Sequence, residues 1–301
     1  MPPDAEDERL VVDIEAWIKR AEQDPATLLE RQATDVFLSA LSITRPYATQ
    51  LVLKGGVLMG VVYDSPRQTG DIDFTAIMEP TQGIAEQLAD DLKQNFVRAA
   101  ANLGYVDLLC AVQSHKYFPK GEKFPKFEGP AITLRIGYAQ RGSPQERLFK
   151  AGKATNTLDV DISFKEPVSQ THVIELTKDG HAIRAYTMTE VIAEKYRALL
   201  QQPIRNRNRR QDVYDIHMLI TKFTLSEAEK GAVFSAFISK CQARRITPDR
   251  DSLSEPEVAR RAKSEWQSLA LEIGVLPDFD MCFVQVLAFY QSLPWHSVSK
   301  T

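Results

Sequence analysis

Residues 51–74, LVLKGGVLMGVVYDSPRQTGDIDF, decide the fold, because a Gly-Gly turn joins an apolar strand to a short apolar helix there. The pair Gly55-Gly56 permits a positive φ angle and a close approach of the backbone to another group. A helix is predicted over residues 57–63, and the positive end of its dipole points towards these glycines. The stretch therefore predicts a turn whose backbone amides face a phosphate group.

A second strand is predicted at Asp71-Ile72-Asp73-Phe74, close behind the turn. Because side chains alternate along a strand, both aspartates leave one face while the apolar pair is buried on the other. Two neighbouring carboxylates repel each other unless a divalent cation lies between them, as in a two-metal site for phosphoryl transfer. A lone Asp-x-Asp is also common on solvated strand edges, so the prediction depends on its position after the Gly-Gly turn.

Six short elements of this stretch carry a resemblance to a known family: Lys54-Gly55-Gly56, Tyr63, Arg67, Thr69, Asp71-Ile72-Asp73 and Phe74. Together they resemble the motif of the AbiEii/AbiGii toxin family, which belongs to the DNA polymerase β-like nucleotidyltransferase superfamily. That superfamily usually has Gly-Ser at the turn, so a serine hydroxyl is missing here and backbone amides must contact the phosphate. The toxin family includes the Gly-Gly form, and the resemblance extends over roughly residues 40–295.

A third carboxylate is predicted on a neighbouring strand, residues 158–164, LDVDISF. Alternation places Asp159, Asp161 and Ser163 on one face. The resemblance assigns the third metal ligand to Asp161, and Asp159 remains the alternative. A half-exposed strand with a polar outer face would show the same pattern, so this assignment depends on the Asp71/Asp73 pair.

The second half of the motif lies in a predicted helix, residues 189–200, TEVIAEKYRALL. It resembles the family's glutamate-lysine helix, which implies that Lys195 neutralises charge on a triphosphate. A solvated helix lysine is the structural alternative. Further on, Asp212 and Asp215 share a helix face, and QDVYD resembles the end of a family R-x-x-D-x-Y-D motif. Either aspartate pairs with Lys195 or holds the ribose or base.

The most basic stretch is residues 203–210, PIRNRNRR. Its arginines either cover a helix terminus or contact triphosphate or RNA phosphates, and their density favours phosphate contact. The arginines concerned are Arg205, Arg207, Arg209 and Arg210.

Residues 116–130, KYFPKGEKFPKFEGP, interleave lysines with aromatic residues and prolines. Such a composition is typical of an exposed loop. The functional alternative is a mobile loop that touches a nucleic-acid backbone or stacks on a base.

The overall composition is that of a globular protein, with 44% hydrophobic and 26% charged residues among 301. A net charge of −3 argues against nucleic-acid binding over the whole surface but permits a local basic patch. Neither a secretory signal nor a membrane-spanning run is expected. The three cysteines have no ligand or disulfide spacing, which indicates a reducing compartment, so we expect a cytoplasmic protein.

These patterns predict an α/β (α+β) nucleotidyltransferase fold, in which a small mixed sheet is flanked by helices. We expect a nucleotidyltransferase core with N-terminal helices over residues 1–185 and a helical C-terminal domain over residues 186–301. The resemblance implies transfer of an NMP from an NTP to an acceptor hydroxyl, with a tRNA 3′ end as acceptor, by the toxin of a toxin–antitoxin pair. Two Mg²⁺ ions, or Mn²⁺ in their place, and a cognate antitoxin are the implied cofactor and partner.

The predicted site follows from this resemblance. The catalytic set is Asp71, Asp73, Asp161, Lys195 and Asp212, of which the first three bind metal. The nucleotide-binding set is Lys54, Gly55, Gly56, Arg67, Thr69 and Asp215. Two alternatives remain: a nucleotidyltransferase acting on a protein or a small molecule such as an antibiotic, and a non-catalytic NTP- or RNA-binding protein of the same fold.

Overall fold

The computed structural model describes residues 9–176 and 181–295, which form two compact units. The first unit contains the chain up to Asp64 together with Thr69–Glu166 and Thr171–Ala185. The second contains the chain from Tyr186 onward and two short segments, Ser65–Gln68 and Pro167–Gln170. Chain segments therefore pass between the units at residues 64–69 and 166–171, as well as at 185–186.

A mixed sheet with eight described strands organises the first unit, in the order β1-β7-β8-β2-β3-β6-β5-β4. The expected mixed sheet is confirmed, but it is larger than the small sheet predicted. The strands are β1 Arg9–Val11, β2 Leu51–Lys54, β3 Asp71–Ala76, β4 Leu108–Phe118, β5 Ala131–Gln140, β6 Asn156–Phe164, β7 Thr171–Glu175 and β8 Ala182–Tyr186.

The centre of the sheet joins β3 to β6 in parallel, while β2 lies antiparallel on the other side of β3. Alternation along β3 buries Ile72 and Phe74, as the sequence predicted. The ring of Phe74 meets that of Phe37 edge to face with 6.1 Å between centroids, and Phe37 also contacts Phe96. The apolar face of the strand is thus closed by helices, which leaves the aspartate face for other contacts.

The described helices of the first unit surround this sheet, and α2 and α5 pack against each other. Pro25 stands at the first position of α2, and the Asp24 side chain accepts hydrogen bonds from the amides of Ala26 and Thr27, which fixes the helix start. These helices are α1 Ile14–Lys19, α2 Pro25–Ser42, α3 Tyr47–Gln50, α4 Gly55–Val61, α5 Ile84–Asn102 and α6 Glu146–Lys150.

The second unit is helical in its described part, and its longest helix packs against three others. Tyr196 on that helix is fully buried, and its ring meets Phe237 edge to face and Tyr290 at a tilt. Its hydroxyl donates to the Val286 carbonyl at 2.8 Å. The helices are α7 Met188–Arg205, α8 Arg210–Lys222, α9 Glu227–Gln242, α10 Pro256–Lys263, α11 Ala270–Ile273 and α12 Phe279–Gln291.

No helix in residues 9–176 and 181–295 combines the length and apolar character needed to cross a membrane.

The lysine-rich stretch 116–130 differs from the expected loop. Its first residues, Lys116 to Phe118, continue β4 and pair with β5. Phe124 is fully buried, and its ring contacts those of Tyr117 and Phe164. The sequence concealed this anchor because one buried aromatic among many exposed residues leaves no periodic pattern.

Asp35 on α2 is a buried carboxyl group in the core of the first unit. Its Oδ2 accepts a hydrogen bond from the Tyr105 hydroxyl at 3.3 Å, and its Oδ1 has no hydrogen-bond partner among the described residues. Burial raises the pKa of Asp35 to about 7. Between an unfolded pKa of about 3.9 and this value, the folded state holds a proton that the unfolded state releases.

The free energy of unfolding is therefore expected to fall as the pH rises from about 4 to about 7, by up to ~1.4 kcal/mol per unit. Asp35→Asn removes this contribution, because the amide does not titrate. Urea unfolding of both proteins across this range checks it: the difference between wild type and variant should change with pH and level off above pH ~7. A difference that is constant across the range would contradict the protonated state of Asp35.

Candidate functional site

Gly55 begins α4 and lies directly against the Asp73 carboxylate. Its φ angle is +71°, and a Cβ atom added there would overlap the carboxylate oxygen and lie 2.8 Å from Asp73 Cγ. Lys54, just before it, is the register partner of Asp73 in the antiparallel pair of β2 and β3. Glycine is required at this position both by its backbone conformation and by the space that Asp73 occupies.

Gly56 is constrained by a different side chain, that of Thr69. A Cβ atom at residue 56 would lie 2.5 Å from Thr69 Oγ1 and 2.6 Å from Thr69 Cβ. A serine at residue 56 would therefore displace Thr69. The Thr69 hydroxyl occupies the region that a serine side chain would fill, which accounts for Gly-Gly in place of Gly-Ser.

The aspartates of β3 and β6 lie side by side. The parallel register pairs Asp71 with Asp159 and Asp73 with Asp161. Burial raises the pKa of Asp71, and the nearby charges of Asp161 and Asp159 raise it further. This arrangement concentrates negative charge on one face of the sheet.

The two candidate ligands on β6 have different partners. Asp159 receives two hydrogen bonds from Arg135, from Nε at 2.7 Å and from Nη2 at 2.8 Å, and this pairing lowers its pKa. Asp161 instead accepts from the Thr133 hydroxyl at 2.5 Å, which brings no opposite charge. Asp159 is thus paired with a cation, whereas the hydrogen bond to Asp161, beside Asp73, comes from a neutral hydroxyl.

Lys54 lies in a buried polar cluster that the sequence did not reveal. Its ammonium group donates to Glu166 Oε2 at 2.6 Å and to Ser163 Oγ at 2.9 Å. Thr75 Oγ1 and Ser163 Oγ donate to the same glutamate oxygen, at 3.0 and 2.9 Å. The one sequence signal for this cluster was the position of Ser163 on the aspartate face. Nothing marked Glu166, which follows the strand.

The aspartate face suits a hard divalent cation by its chemistry, because carboxylate oxygens are the ligands such cations prefer. Among residues 9–176 and 181–295, no group of three or more His, Cys, Asp or Glu side chains is already arranged to hold a metal ion. The raised pKa of Asp71 nevertheless reports negative charge that a bound cation would neutralise. The chemistry of these donors therefore fits a divalent cation.

A buried ion cluster in the second unit contains the predicted lysine and both predicted aspartates. Lys195 Nζ donates to Asp215 Oδ2 at 2.6 Å and to Asp212 Oδ1 at 3.0 Å. Arg67 donates to both oxygens of Asp215 at 3.3 Å each. Lys195 therefore pairs with both of the aspartates between which the sequence left the choice open. Arg67 belongs to this unit, whereas Thr69 belongs to the first.

Opposite charges shift the pKa values of Asp215 and Lys195 in this cluster. Burial acts to raise the pKa of Asp215, but Lys195 and Arg67 outweigh it and lower the pKa. Burial likewise opposes the charged form of Lys195, and the two carboxylates raise its pKa all the same. Two further charges border these four, because Glu272 lies 3.8 Å from Arg67 and Arg209 lies 3.9 Å from Asp212.

The predicted RNA-binding arginines have different environments. Arg210 lies 3.3 Å from Glu265 and 3.9 Å from Glu272, so its charge is already matched. Arg209 approaches Asp212 at 3.9 Å. Arg205 ends α7, and Arg207 is exposed without an ion pair in the described part of the chain.

Comparisons with known proteins agree with the motif. A family model described as "Nucleotidyl transferase AbiEii toxin, Type IV TA system" matches residues 36–284, which confirms the resemblance. No curated protein matches. MenT4, a nucleotidyltransferase toxin from Mycobacterium tuberculosis H37Rv, is similar in structure, with a TM-score of 0.56 and 17% identity over 93% of this chain and 90% of that chain. JHP933 from Helicobacter pylori has a TM-score of 0.49 and 16% identity, over 90% and 92%. The likeness to MenT4 confirms the predicted fold.

The contact between Gly55 and Asp73 predicts that Gly55→Ala destabilises the protein more than the backbone angle alone explains. Gly83→Ala is the matched control, because Gly83 has a φ angle of +78° and no atom lies within 4 Å of the added Cβ. We expect the control to cost about 1–2 kcal/mol of unfolding free energy and Gly55→Ala to cost clearly more. Chemical denaturation of both variants measures the difference, and equal losses would show that the Asp73 contact carries no constraint.

Removal of Lys195 should leave Asp215 and Asp212 buried with too little positive charge. Lys195→Met is expected to cost about 3–5 kcal/mol of unfolding free energy. Lys93→Met on α5 serves as the control, because Lys93 is exposed and its loss should change stability by less than ~0.5 kcal/mol. Addition of Asp215→Asn to Lys195→Met should restore part of the loss. A double variant no more stable than the single one would contradict the charge argument.

Proposed function

The chain belongs to the AbiEii nucleotidyltransferase toxin family of type IV toxin–antitoxin systems, and we propose that it transfers an NMP from an NTP to the 3′ end of a tRNA. One observation carries this proposal. The Asp73 carboxylate lies on the Gly55 backbone at the start of α4, and Asp161 lies beside it on the next strand. This arrangement brings phosphate-facing amides next to carboxylates that suit metal ions.

Divalent metal ions generally serve nucleotidyltransferases of this family, and Asp71, Asp73 and Asp161 are the residues that would hold them here. We assign Mg²⁺ as the ion, with two ions per site and Mn²⁺ as a substitute. When bound, the ions neutralise triphosphate charge and lower the pKa of the attacking hydroxyl. The Asp159–Arg135 pair supports Asp161 as the third ligand, because Asp159 is already neutralised.

The reaction is an in-line displacement at the α-phosphorus of the NTP. The acceptor 3′ oxygen forms a bond to this phosphorus as the bond to the β-phosphate bridging oxygen breaks, and pyrophosphate leaves with the bonding electron pair. Thr133 donates a hydrogen bond to Asp161 Oδ1, which leaves Oδ2 as the atom that would bind a metal ion, and the hydroxyl proton passes to solvent water. The amides after Gly55 and the Thr69 hydroxyl hold phosphate oxygens, and the Lys54–Glu166 pair supports the strand that carries Asp73.

The other predicted site residues belong to the same proposal. Lys195 and Asp212 are proposed to act in catalysis, and Arg67 and Asp215 to help bind the nucleotide. Exposed Arg207, with Arg205 and Arg209, is proposed to contact RNA phosphates. Arg210 is the weakest of the four, since two glutamates already pair with it.

The biological setting is proposed from the family. A toxin of this class requires a cognate antitoxin that restrains it, and we expect one for this chain. The activity is placed in the cytoplasm, where tRNA and NTPs are both available.

A labelling assay tests the proposal. The protein is incubated with Mg²⁺, total tRNA and each α-labelled NTP in turn, beside reactions with EDTA. Label should enter RNA, depend on the metal and disappear in Asp71→Asn/Asp73→Asn. Asp161→Asn is expected to lower the rate by at least ~10²-fold, whereas Asp159→Asn, which removes an exposed ion pair, should stay within about threefold of wild type.

Each outcome decides between the functions. Label in a protein or in a small molecule would show that the acceptor belongs to that class and is not RNA. Equal loss in Asp159→Asn and Asp161→Asn would contradict the assignment of Asp161. No labelled product with any acceptor, together with retained NTP binding, would favour a non-catalytic protein of this fold.

A further inference from the structure

Side-chain contacts hold residues 116–130, which comprise a strand end and a loop, in position. The buried Phe124 ring lies 4.8 Å from that of Tyr117 and 5.7 Å from that of Phe164. Lys165 Nζ donates to the carbonyls of Pro125 and Phe127, at 2.8 and 3.0 Å. The surface of this segment is therefore preorganised rather than mobile.

Two aromatic rings on this segment face solvent. Phe118 is 63% exposed and Phe127 is 41% exposed. The rings meet edge to face, with 5.7 Å between centroids and 85° between planes. In an edge-to-face pair, the edge of one ring covers at most one face of the other ring. A flat group such as a base can stack on a face that is not covered.

The segment that carries the two rings is rich in lysine. The stretch 116–130 contains four lysines and two glutamates, which gives a local charge of 4 − 2 = +2 in a chain whose net charge is −3. Lys120, Lys123 and Lys126 are exposed, and their side chains make no ion pair with any residue in the described ranges. An anionic ligand with flat groups matches this surface, and a nucleic acid combines both properties.

The register places this surface on the aspartate face of the sheet. Lys116, Thr133, Asp161 and Asp73 are partners in a row across β4, β5, β6 and β3. Phe118 lies two residues beyond Lys116 on the same face. Two strand spacings of ~4.8 Å and two residue rises of ~3.4 Å place its Cα about 12 Å from that of Asp161. At ~3.4 Å per stacked nucleotide, the separation corresponds to about three or four nucleotides.

We propose that Phe118 and Phe127 form a stacking subsite for the unpaired bases of an RNA acceptor, about three or four nucleotides before its 3′ hydroxyl. Lys116, Lys120 and Lys126 contact the phosphates of the same strand. The acceptor is single-stranded at this point, because a base in a duplex offers no free face to the rings. This inference rests on the proposed function, which supplies RNA as the acceptor and places its 3′ hydroxyl near Asp161.

A binding assay without NTP tests the subsite in the full-length protein. The probe is a fluorescein-labelled single-stranded oligouridylate of about 12 nucleotides, followed by fluorescence anisotropy. Phe118→Leu/Phe127→Leu keeps apolar volume but removes the ring faces, and we expect its Kd to rise about tenfold. Phe118→Trp should bind at least as tightly as wild type. Val97→Leu, at an exposed position on α5, is the control and should bind as wild type does.

The lysines give a second test that leaves the aromatic rings in place. Lys120→Ala/Lys126→Ala should reduce the slope of log Kd against log salt by about 1.4, since each lost phosphate contact to a single strand contributes about 0.7. Lys93→Ala on α5 is the matched control and should leave the slope unchanged.

Acceptor length connects the subsite to the reaction. The leucine double variant should raise the KM for a long single-stranded acceptor about tenfold and leave the KM for a dinucleotide acceptor and for NTP unchanged. Unchanged oligouridylate binding in the leucine variant overturns the subsite, whether or not the protein labels RNA. Loss of antitoxin binding with intact RNA binding also overturns it and assigns the rings to a protein partner. Weakened RNA binding in a protein that transfers nothing supports the subsite and rejects the proposed transfer instead.

Discussion

The seating of the Asp73 carboxylate on the backbone of Gly55 is the contact on which the rest of the first unit depends. It fixes the end of β2, the start of α4 and the register of β3 at a single point. The neighbouring contact of Thr69 with Gly56 extends the same constraint to the loop before β3. Neither glycine can gain a side chain without displacing a residue of the site, so the architecture and the proposed chemistry share one requirement.

Among the described residues, some carboxylates near the aspartate face pair with a cation and others do not. Arg135 neutralises Asp159, and Lys54 neutralises Glu166 in the cluster below. Among residues 9–176 and 181–295, the hydrogen bond that Asp161 accepts comes from a hydroxyl, and Asp71 has a raised pKa. A protein that needed only a stable sheet would pair or remove these last two charges, because unpaired carboxylates in a partly buried site reduce stability. These two carboxylates therefore reduce stability, and a bound metal ion would offset that loss.

The sequence predicted features that depend on neighbouring residues, and it missed those that depend on contacts between residues far apart in the chain. Alternation in Asp71–Phe74 is local, and it correctly assigned the aspartate face of β3. The outer strands β1, β7 and β8 have three to five residues, too few for a periodic pattern, so the sheet was expected to be smaller. The Arg135–Asp159 and Lys54–Glu166 pairs join residues 24 and 112 positions apart, and only the strand register brings them together. The family motif supplied Lys195 and its two aspartates, but the packing of Arg67 against Asp215 was not predicted.

The ion cluster of the second unit restricts what Lys195 can do. Buried ion pairs seldom stabilise a fold more than apolar side chains of similar volume would, so stability alone does not explain why this chain keeps Lys195, Arg67, Asp212 and Asp215 together. Lys195 donates to both Asp212 and Asp215, so the proposed contact with a triphosphate requires a phosphate oxygen to replace one of these two partners. Asp215 is fully buried and held by both cations, whereas the Asp212 side chain is 11% exposed and its contact to Lys195 is 3.0 Å rather than 2.6 Å. On the proposed role, Asp212 is the partner that Lys195 would exchange, and Asp215 is the one that would keep the lysine in position.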